Sequence, residues 1–482
     1  MIPSAEVAPP DIEPEGHDLI IVGGRPSGAA LAARLGMAGL RVLVLERATF
    51  PSAPAVSAPF VLPHTLAELD DLGVSEAEYA ASTPALRSFV LEMSTYFRAR
   101  FRFFEPVGGR THFYAIDRAR LDHALWRNLA RFATVTAVEG AAVVDLLVED
   151  GVVRGVTARL PGRDGVCTLR ARGVVGADGR YSMVARKAGA AVTHQRRDRD
   201  TTLYFADWED VAPYDDPEPL AHIHTSCDGF SFVLMPTADA RTMVVAQGRA
   251  DRYAELPGSP QAAYDALLRA RPLVWRRLAE ARQVSELRGI KRMGNLFRQP
   301  HGRGWALVGD AYHQKDSLDA QGIYDALLGA RLLADALVRW HAEGIPWDEA
   351  LGGYARAAEA ALRPMFDATM DRVGREIYGA PPPAAAKTVM RWMLTHERYG
   401  RRFADVVTRR VAPSQLLVPS VLLPAMVGGA RAHLWARLRG RPDPADCGQR
   451  ATNHRQLRGR QSVEAVRMPP PQPLPQLRWW RG

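Results

Sequence analysis

Close to the N-terminus an apolar run is followed at once by a glycine turn, a small-residue helix and a second apolar run. Asp18-Leu19-Ile20-Ile21-Val22 is rich in β-branched residues and reads as a buried parallel strand. Gly23-Gly24-Arg25-Pro26-Ser27-Gly28 makes the turn, and Ala29 to Met37 the helix, which Gly39 closes. Arg41-Val42-Leu43-Val44-Leu45 is the second strand. The turn carries its own chemistry. Gly23 permits a tight bend, the helix N-terminus offers free N–H groups to a pyrophosphate, and Gly28 lets helix and strand pack closely. Glu46 stands 23 positions after Gly23, where a carboxylate accepts hydrogen bonds from a ribose. Arg25 occupies the place of the middle glycine. Its β-carbon limits the backbone's approach to phosphate, while its guanidinium offers a charge-assisted contact. Taken alone, the turn is equally compatible with a β-α-β crossover that holds no phosphate.

Two segments far downstream change that balance. Arg172-Gly173-Val174-Val175-Gly176-Ala177-Asp178-Gly179-Arg180-Tyr181-Ser182 is a strand entering an Asp-Gly turn, with a helix through Val184-Ala185-Arg186. Trp305-Ala306-Leu307-Val308-Gly309-Asp310-Ala311 is another buried strand ending in Gly-Asp. It leads through Ala320 and Gln321-Gly322 into a long amphipathic helix from Ile323 to Trp340. In this order and spacing the three motifs resemble FAD-dependent oxidoreductases of the aromatic-hydroxylase type, the class A flavoprotein monooxygenases. The match is to a subgroup shared with geranylgeranyl-reductase-like proteins. Its marks here are the Arg in the first turn, Glu46-Arg47-Ala48-Thr49-Phe50-Pro51-Ser52, Arg118-Ala119-Arg120-Leu121-Asp122, and Tyr312-His313-Gln314-Lys315-Asp316-Ser317 before Ala320-Gln321-Gly322.

The resemblance implies an α/β fold: a Rossmann-like, three-layer ββα FAD-binding domain, an inserted antiparallel-sheet substrate domain and a helical C-terminal part. The expected division gives 17–80, 116–190 and 301–345 to the FAD-binding domain and 81–115 and 191–300 to the substrate domain. Helices follow over 346–435, then a disordered Pro/Arg-rich tail over 436–482. By the same resemblance Gly23, Gly24, Arg25, Ser27 and Gly28 surround the pyrophosphate, and Glu46 with Arg47 lies at the adenosine ribose. Arg118 reaches the ribityl-phosphate region. Asp178 and Gly179 support both FAD and a passing nicotinamide cofactor, and Gly309 and Asp310 meet the ribityl hydroxyls. Backbone N–H groups at Gln321 and Gly322 face the pyrimidine end of the ring. Reduced flavin is anionic there, and a helix N-terminus carries about half a positive charge. His313, Lys315 and Asp316 are candidate catalytic residues; the alternative is that they are surface groups ordering the loop. Ser317 stands where the subgroup has proline, so the loop lacks that stiffening.

No second G-x-G-x-x-G occurs at Gly173 to Gly179, so NAD(P)H is expected to bind transiently. Flavin-dependent halogenases need a lysine soon after the second strand, and the first lysine here is Lys187. A hydroxylase of this class needs a dry pocket, positioning and charge control and no catalytic triad. Phe97-Arg98-Ala99-Arg100-Phe101-Arg102-Phe103 alternates aromatic and basic residues. With Tyr204-Phe205, Trp208, Phe230 to Leu234 and Thr242 to Ala246 it supplies a sheet suited to a bulky apolar or aromatic substrate. His222 and His224 share a strand face, but no third ligand is set by spacing and no metal is expected.

Of 62 basic and 53 acidic residues, 11 Arg and three acids fall within Arg431–Gly482, so residues 1–430 carry a net charge of only +1. Three scattered cysteines fit a reducing, cytoplasmic setting. Met1 to Gly16 has no secretory pattern, and the apolar stretch Leu416 to Val427 is too short for a membrane span and is expected to be buried, a membrane-touching cap being the alternative. The resulting expectation is an NAD(P)H- and O2-dependent monooxygenase acting on an apolar small molecule, without nucleic acid or a transmembrane segment. A flavin-dependent C=C reductase, a flavoprotein using FAD without redox change and, from the tail alone, a nucleic-acid binder stay open. No feature sets the oligomeric state.

Overall fold

In the computed structural model the described residues are 16–440, apart from 55, 58, 95, 104, 216 and 217. The Pro-rich start and, from residue 441 on, the expected tail lie outside them. His17–Val22 runs through the middle of a parallel sheet. Val42–Leu45 and then Val135–Val138 lie on one side, and Cys167–Gly176 and then Trp305–Leu307 on the other. Leu19, Ile20 and Ile21 are fully buried, as a strand covered on both faces requires. The helices Pro26–Met37 and Gly322–Ala342 pack against each other on this sheet. An antiparallel meander (Ala142–Glu149, Val152–Arg159 and the start of Cys167–Gly176) adds Leu146, Val153 and Val156 to the same core. Helix, sheet and meander are the three layers.

A second sheet of eight strands stands beside it. Its main path runs Arg282–Gln283, Thr201–Glu209, Thr242–Arg249, Phe230–Pro236, Ala221–Ser226, Ser88–Met93 and Phe97–Arg102. It is not wholly antiparallel: Ala221–Ser226 pairs with Ser88–Met93 in parallel. The reason is connectivity. The pair Ser88–Met93 and Phe97–Arg102 is laid down before the chain returns to the parallel sheet, so no tight turn dictates direction where the two passes meet. Along Phe97–Arg102 the expected alternation holds at its apolar face: Phe97, Ala99 and Phe101 are buried and Arg102 is exposed. A small separate sheet joins Val192–Arg196, Asn295–Arg298 and His313–Gln314.

The helix Trp347–Arg372 buries Leu351, Tyr354, Leu362 and Phe366 in the core of the parallel sheet. Beyond it the expected helical part continues in Ala384–Leu394 and Glu397–Val407. The ring of His396 accepts from the Arg398 N–H and starts the second. These helices and Pro419–Leu438 pack on the edge of the second sheet, where Leu394, Tyr399, Val421 and Ala425 meet Phe97 and Phe101. The expected burial of the late apolar stretch is overturned for Leu417, Leu423 and Val427, which are more than half exposed. The helix touches the sheet along Val421, Ala425 and Gly429, and residues a half-turn away face out. Among the described residues no helix is long and apolar enough to cross a membrane.

Candidate flavin site

The three glycine-bearing motifs, distant in sequence, are pressed together in space. Gly23 has φ +102°, and a β-carbon there would lie 2.5 Å from the Ala177 carbonyl oxygen, in the second motif. A β-carbon on Gly28 would overlap the Gly23 carbonyl oxygen. Gly309, in the third motif, has φ +62°, and its β-carbon would lie 2.6 Å from Ser27 Oγ. The glycines therefore serve close backbone approach, while the Gly23 N–H is spent on the Leu45 carbonyl (2.9 Å). No side chain caps Pro26–Met37 among the described residues, so its first N–H groups stay available to an anion.

Glu46 ends the second strand, 5% exposed. Its carboxylate accepts from the Gly24 N–H (2.8 Å) and the Ala48 N–H (2.9 Å), with lone pairs left for hydroxyl groups. Arg47 lies exposed on the rim. Arg25 donates to Asp122 (2.6 Å) and to the carbonyl and hydroxyl of Ser52 (both 3.0 Å), with its guanidinium 5.4 Å from the centre of the Phe50 ring. Arg118 pairs with the same Asp122 at 2.8 Å and donates to the Ser57 hydroxyl. Asp122 is fully buried and bridges two cations at the mouth of the cradle. The motif alone gives it no role. Asp122→Ala should leave two adjacent guanidiniums uncompensated and raise the FAD dissociation constant by about tenfold or more, read by quenching of flavin fluorescence. Unchanged affinity would make the bridge irrelevant to the cofactor.

In the second motif Asp178 accepts from Ser182 Oγ (2.5 Å) and from the Met183 and Val184 N–H groups (2.7 and 3.1 Å), and so caps Met183–Lys187. Gly179 takes φ +77° in the turn between them. Asp310 pairs with Arg180 at 3.1 Å, which ties the second motif to the third.

The loop after Gly-Asp leads to the N-terminus of Gly322–Ala342. Ala320 is left-handed (φ +56°), and the space beside Gly322 is open. None of the three candidate catalytic residues is a surface group. Asp316 accepts from Thr201 (2.5 Å), Gln247 (2.7 Å) and the Leu318 N–H (2.9 Å), which binds the loop to the second sheet. Burial pushes the Asp316 carboxyl above its usual range. Lys315 takes a different partner set. Its Nζ lies 2.8 Å from Asp319 and 2.7 Å from Asp325, and Asp325 also takes Arg409 at 2.7 Å. Arg409 donates as well to Gln321 Oε1 (2.5 Å), while Gln321 donates to the Val407 carbonyl (2.8 Å). Gln321, Asp325 and Arg409 thus pin the start of Gly322–Ala342 to the C-terminal helices.

His313 is buried with Nε2 unpartnered, and His64 is buried with both ring nitrogens unpartnered, among the described residues. Burial drives both imidazoles down to about 3, so both are neutral in ordinary buffer. His64 packs edge-on to Tyr324, in the first turn of the same helix, at 4.0 Å. Asp325, Arg409 and His64 were not among the residues expected. Asp325 sits one helical turn beyond Gln321-Gly322, a signal available in the sequence; Arg409 and His64 have none.

A cavity of about 160 Å³ joins Ser57 and Arg118 to Phe205, Met243, Arg241 and Arg288 of the second sheet and its flank. On the opposite face of that sheet, Glu92 supplies the third group that spacing along the chain does not give His222 and His224. Its carboxylate lies 2.7 Å from His222 Nε2 and 3.3 Å from His224 Nδ1, and Tyr214 donates to it. Burial alone raises Glu92, but these hydrogen bonds outweigh it and hold the acid well below its usual range. Arg98 pairs with Glu92, and Arg277 lies against His222 Nδ1. Two guanidiniums already supply the positive charge here, so the cluster reads as a buried hydrogen-bond network.

The glycine cradle, the uncapped helix, the buried Glu46 carboxylate and the orphaned imidazole nitrogens all fit FAD. The comparisons agree. Residues 17–360 match a family described as "FAD binding domain". Digeranylgeranylglycerophospholipid reductase 2 of Methanopyrus kandleri is 26% identical over 351 residues, 70% of this chain and 80% of that protein. A 3-(3-hydroxy-phenyl)propionate/3-hydroxycinnamic acid hydroxylase of Comamonas testosteroni is 30% identical over 222 residues, 44% of this chain, and the match spans about a third (34%) of the hydroxylase. Among solved structures the flavin-dependent brominase Bmp2 superposes with a TM-score of 0.72 at 17% identity, covering 86% of this chain and 99% of that one, a likeness of fold. The chain belongs to the FAD binding domain family and is an FAD-dependent oxidoreductase.

Proposed function

We propose that the protein is a monooxygenase that uses NAD(P)H and O2 to hydroxylate or epoxidise a bulky apolar or aromatic small molecule. One observation carries this reading. A cluster of Phe60, Phe113, Phe205, Met235, Met243 and Met293 packs against Ala320, beside the Gln321-Gly322 helix end, and against Ala404 and Val407. An aromatic and thioether wall there suits an apolar ring system and excludes water. Bound FAD would supply the electron transfer from NAD(P)H to oxygen. The chain's own part is to hold and orient. Gly23, Gly28 and Ser27 would cradle the pyrophosphate, Glu46 the ribose, and Asp310 the ribityl chain. The Gly322 N–H would meet the negative charge of the reduced ring, while the Gln321 N–H donates to Asp319 at 3.3 Å. His313 and His64, neutral and buried, offer a hydrogen bond without a charge. Lys315 and Asp316 would act as positioning residues, since each is engaged by protein partners.

A second reading, C=C reduction, is favoured by the extent of the match to the Methanopyrus kandleri reductase. Oxygen separates the two. Candidate apolar substrates should stimulate NAD(P)H oxidation in air, and 18O2 should leave one labelled oxygen in the product. Turnover without oxygen to a saturated product would replace the monooxygenase with the reductase. The absence of a lysine before Lys187 supports neither halogenation nor a halogenating intermediate held on an amine.

A further inference from the structure

Of the large hydrophobic residues exposed on the described surface, Leu417, Leu423, Val427, Leu434, Trp435 and Leu438 fall within one segment of 22 residues. Scattered exposed leucines are ordinary; a run of six is not. The geometry of Pro419–Leu438 gathers them. Val421, Ala425, Gly429, His433 and Ala436 form its buried face. Leu423, Val427, Leu434 and Leu438, spaced by multiples close to the helical repeat, form a stripe on the opposite side, with Trp435 beside it. Arg437 and Arg439 are exposed beside this stripe, Arg431 is exposed within it between Val427 and Leu434, and the Arg439 guanidinium lies 4.9 Å from the centre of the Trp435 ring. No Asp or Glu occurs between Val411 and Gly440.

We propose that this helix lies in the surface of an anionic lipid bilayer, its Leu/Val/Trp stripe among the acyl chains and its arginines at the phosphate groups. Charge complementarity selects this occupant. An apolar stripe flanked by arginine and free of acid matches the boundary between hydrocarbon and anionic headgroups, and tryptophan is at home there. The helix is too weakly apolar to span, so it lies on the membrane and does not cross it. The inference is independent of the reaction catalysed, because it rests on no residue of the flavin site.

Flotation of the FAD-loaded full-length protein with vesicles tests it. Binding to phosphatidylcholine vesicles containing phosphatidylglycerol, weakened by salt and much reduced on pure phosphatidylcholine, is expected. Leu434→Ser/Trp435→Ser/Leu438→Ser should lower the partition coefficient by roughly a hundredfold while flavin content stays unchanged. Arg437→Gln/Arg439→Gln should remove much of the preference for phosphatidylglycerol. Failure of the wild type to float, or equal flotation of the triple serine variant, would overturn the proposal. So would a lipid-free dimer that the triple variant abolishes, since the stripe would then be the seat of a second copy.

Discussion

Gly28→Ala should yield a protein that no longer retains FAD. The added β-carbon would overlap the Gly23 carbonyl oxygen and press on Ala177 at 3.2 Å, both parts of the cradle. Neither contact is the flexible end of a side chain. Relief requires the first helix to move away from the sheet, which takes its N–H groups out of reach of a pyrophosphate. The cost in stability is about 3 kcal/mol, so a folded fraction should remain measurable. The check is the ratio of flavin to protein absorbance after purification, beside far-UV circular dichroism. Near-wild-type flavin content would show that the cradle does not depend on this approach. Gly39, whose added β-carbon meets nothing within 4 Å, is a suitable comparison site in the same unit, although its φ of +79° exacts a local strain.

Asp325→Asn should be the most disruptive change of a single charge. Asp325 is buried between Lys315 and Arg409, and without it two cations share a low-dielectric site with Asp319 alone. Breaking such a buried pair costs about 3–5 kcal/mol. Burial by itself raises the Asp325 carboxyl, but Lys315 and Arg409 outweigh it and hold it at about 2. The folded value therefore lies below the unfolded one, near 4. Stability from this acid is fully present above about pH 4 and is lost as pH falls through about 2. Denaturant midpoints should show that acid-side loss in the wild type and a shallower one in Asp325→Asn. Proteolysis should also release the C-terminal helices more readily in the variant, because Asp325 anchors Arg409. Equal acid sensitivity in both proteins would sink this account.

What the sequence discloses and what it hides follow from the range of the interactions. The buried strands, the first turn and Gly309-Asp310 are local patterns, and each carries its own geometry. Their convergence is legible because a parallel sheet leaves few ways to order three strands with turns at the same edge. Lys315 and Asp316 were visible as polar residues on a loop, yet their burial was not. It depends on Thr201, Gln247, Asp319 and Asp325, which come from other elements. Arg409 is more remote still, a charged residue at a left-handed position between two helices, with nothing around it in the chain to announce the flavin site. Leu416 to Val427 misled for a different reason. A run that is apolar all round has no polar side to show which residues meet the sheet, so composition suggested burial where the helix presents a stripe to the outside.

The order of strands has a consequence for how the protein is made. His17–Val22 leaves the ribosome some 150 residues before its neighbour Cys167–Gly176, and Trp305–Leu307 follows later again. The nucleotide turn is thus born long before the two segments that close its floor, Ala177 and Gly309. Until then an apolar strand has an unpaired edge, and six of the eight strands of the second sheet are laid down between the two events. High sequence separation of this kind makes closure slow. Cofactor capture must follow the synthesis of Gly309, and the nascent chain should depend on holding chaperones far more than a protein whose sheet is laid down hairpin by hairpin.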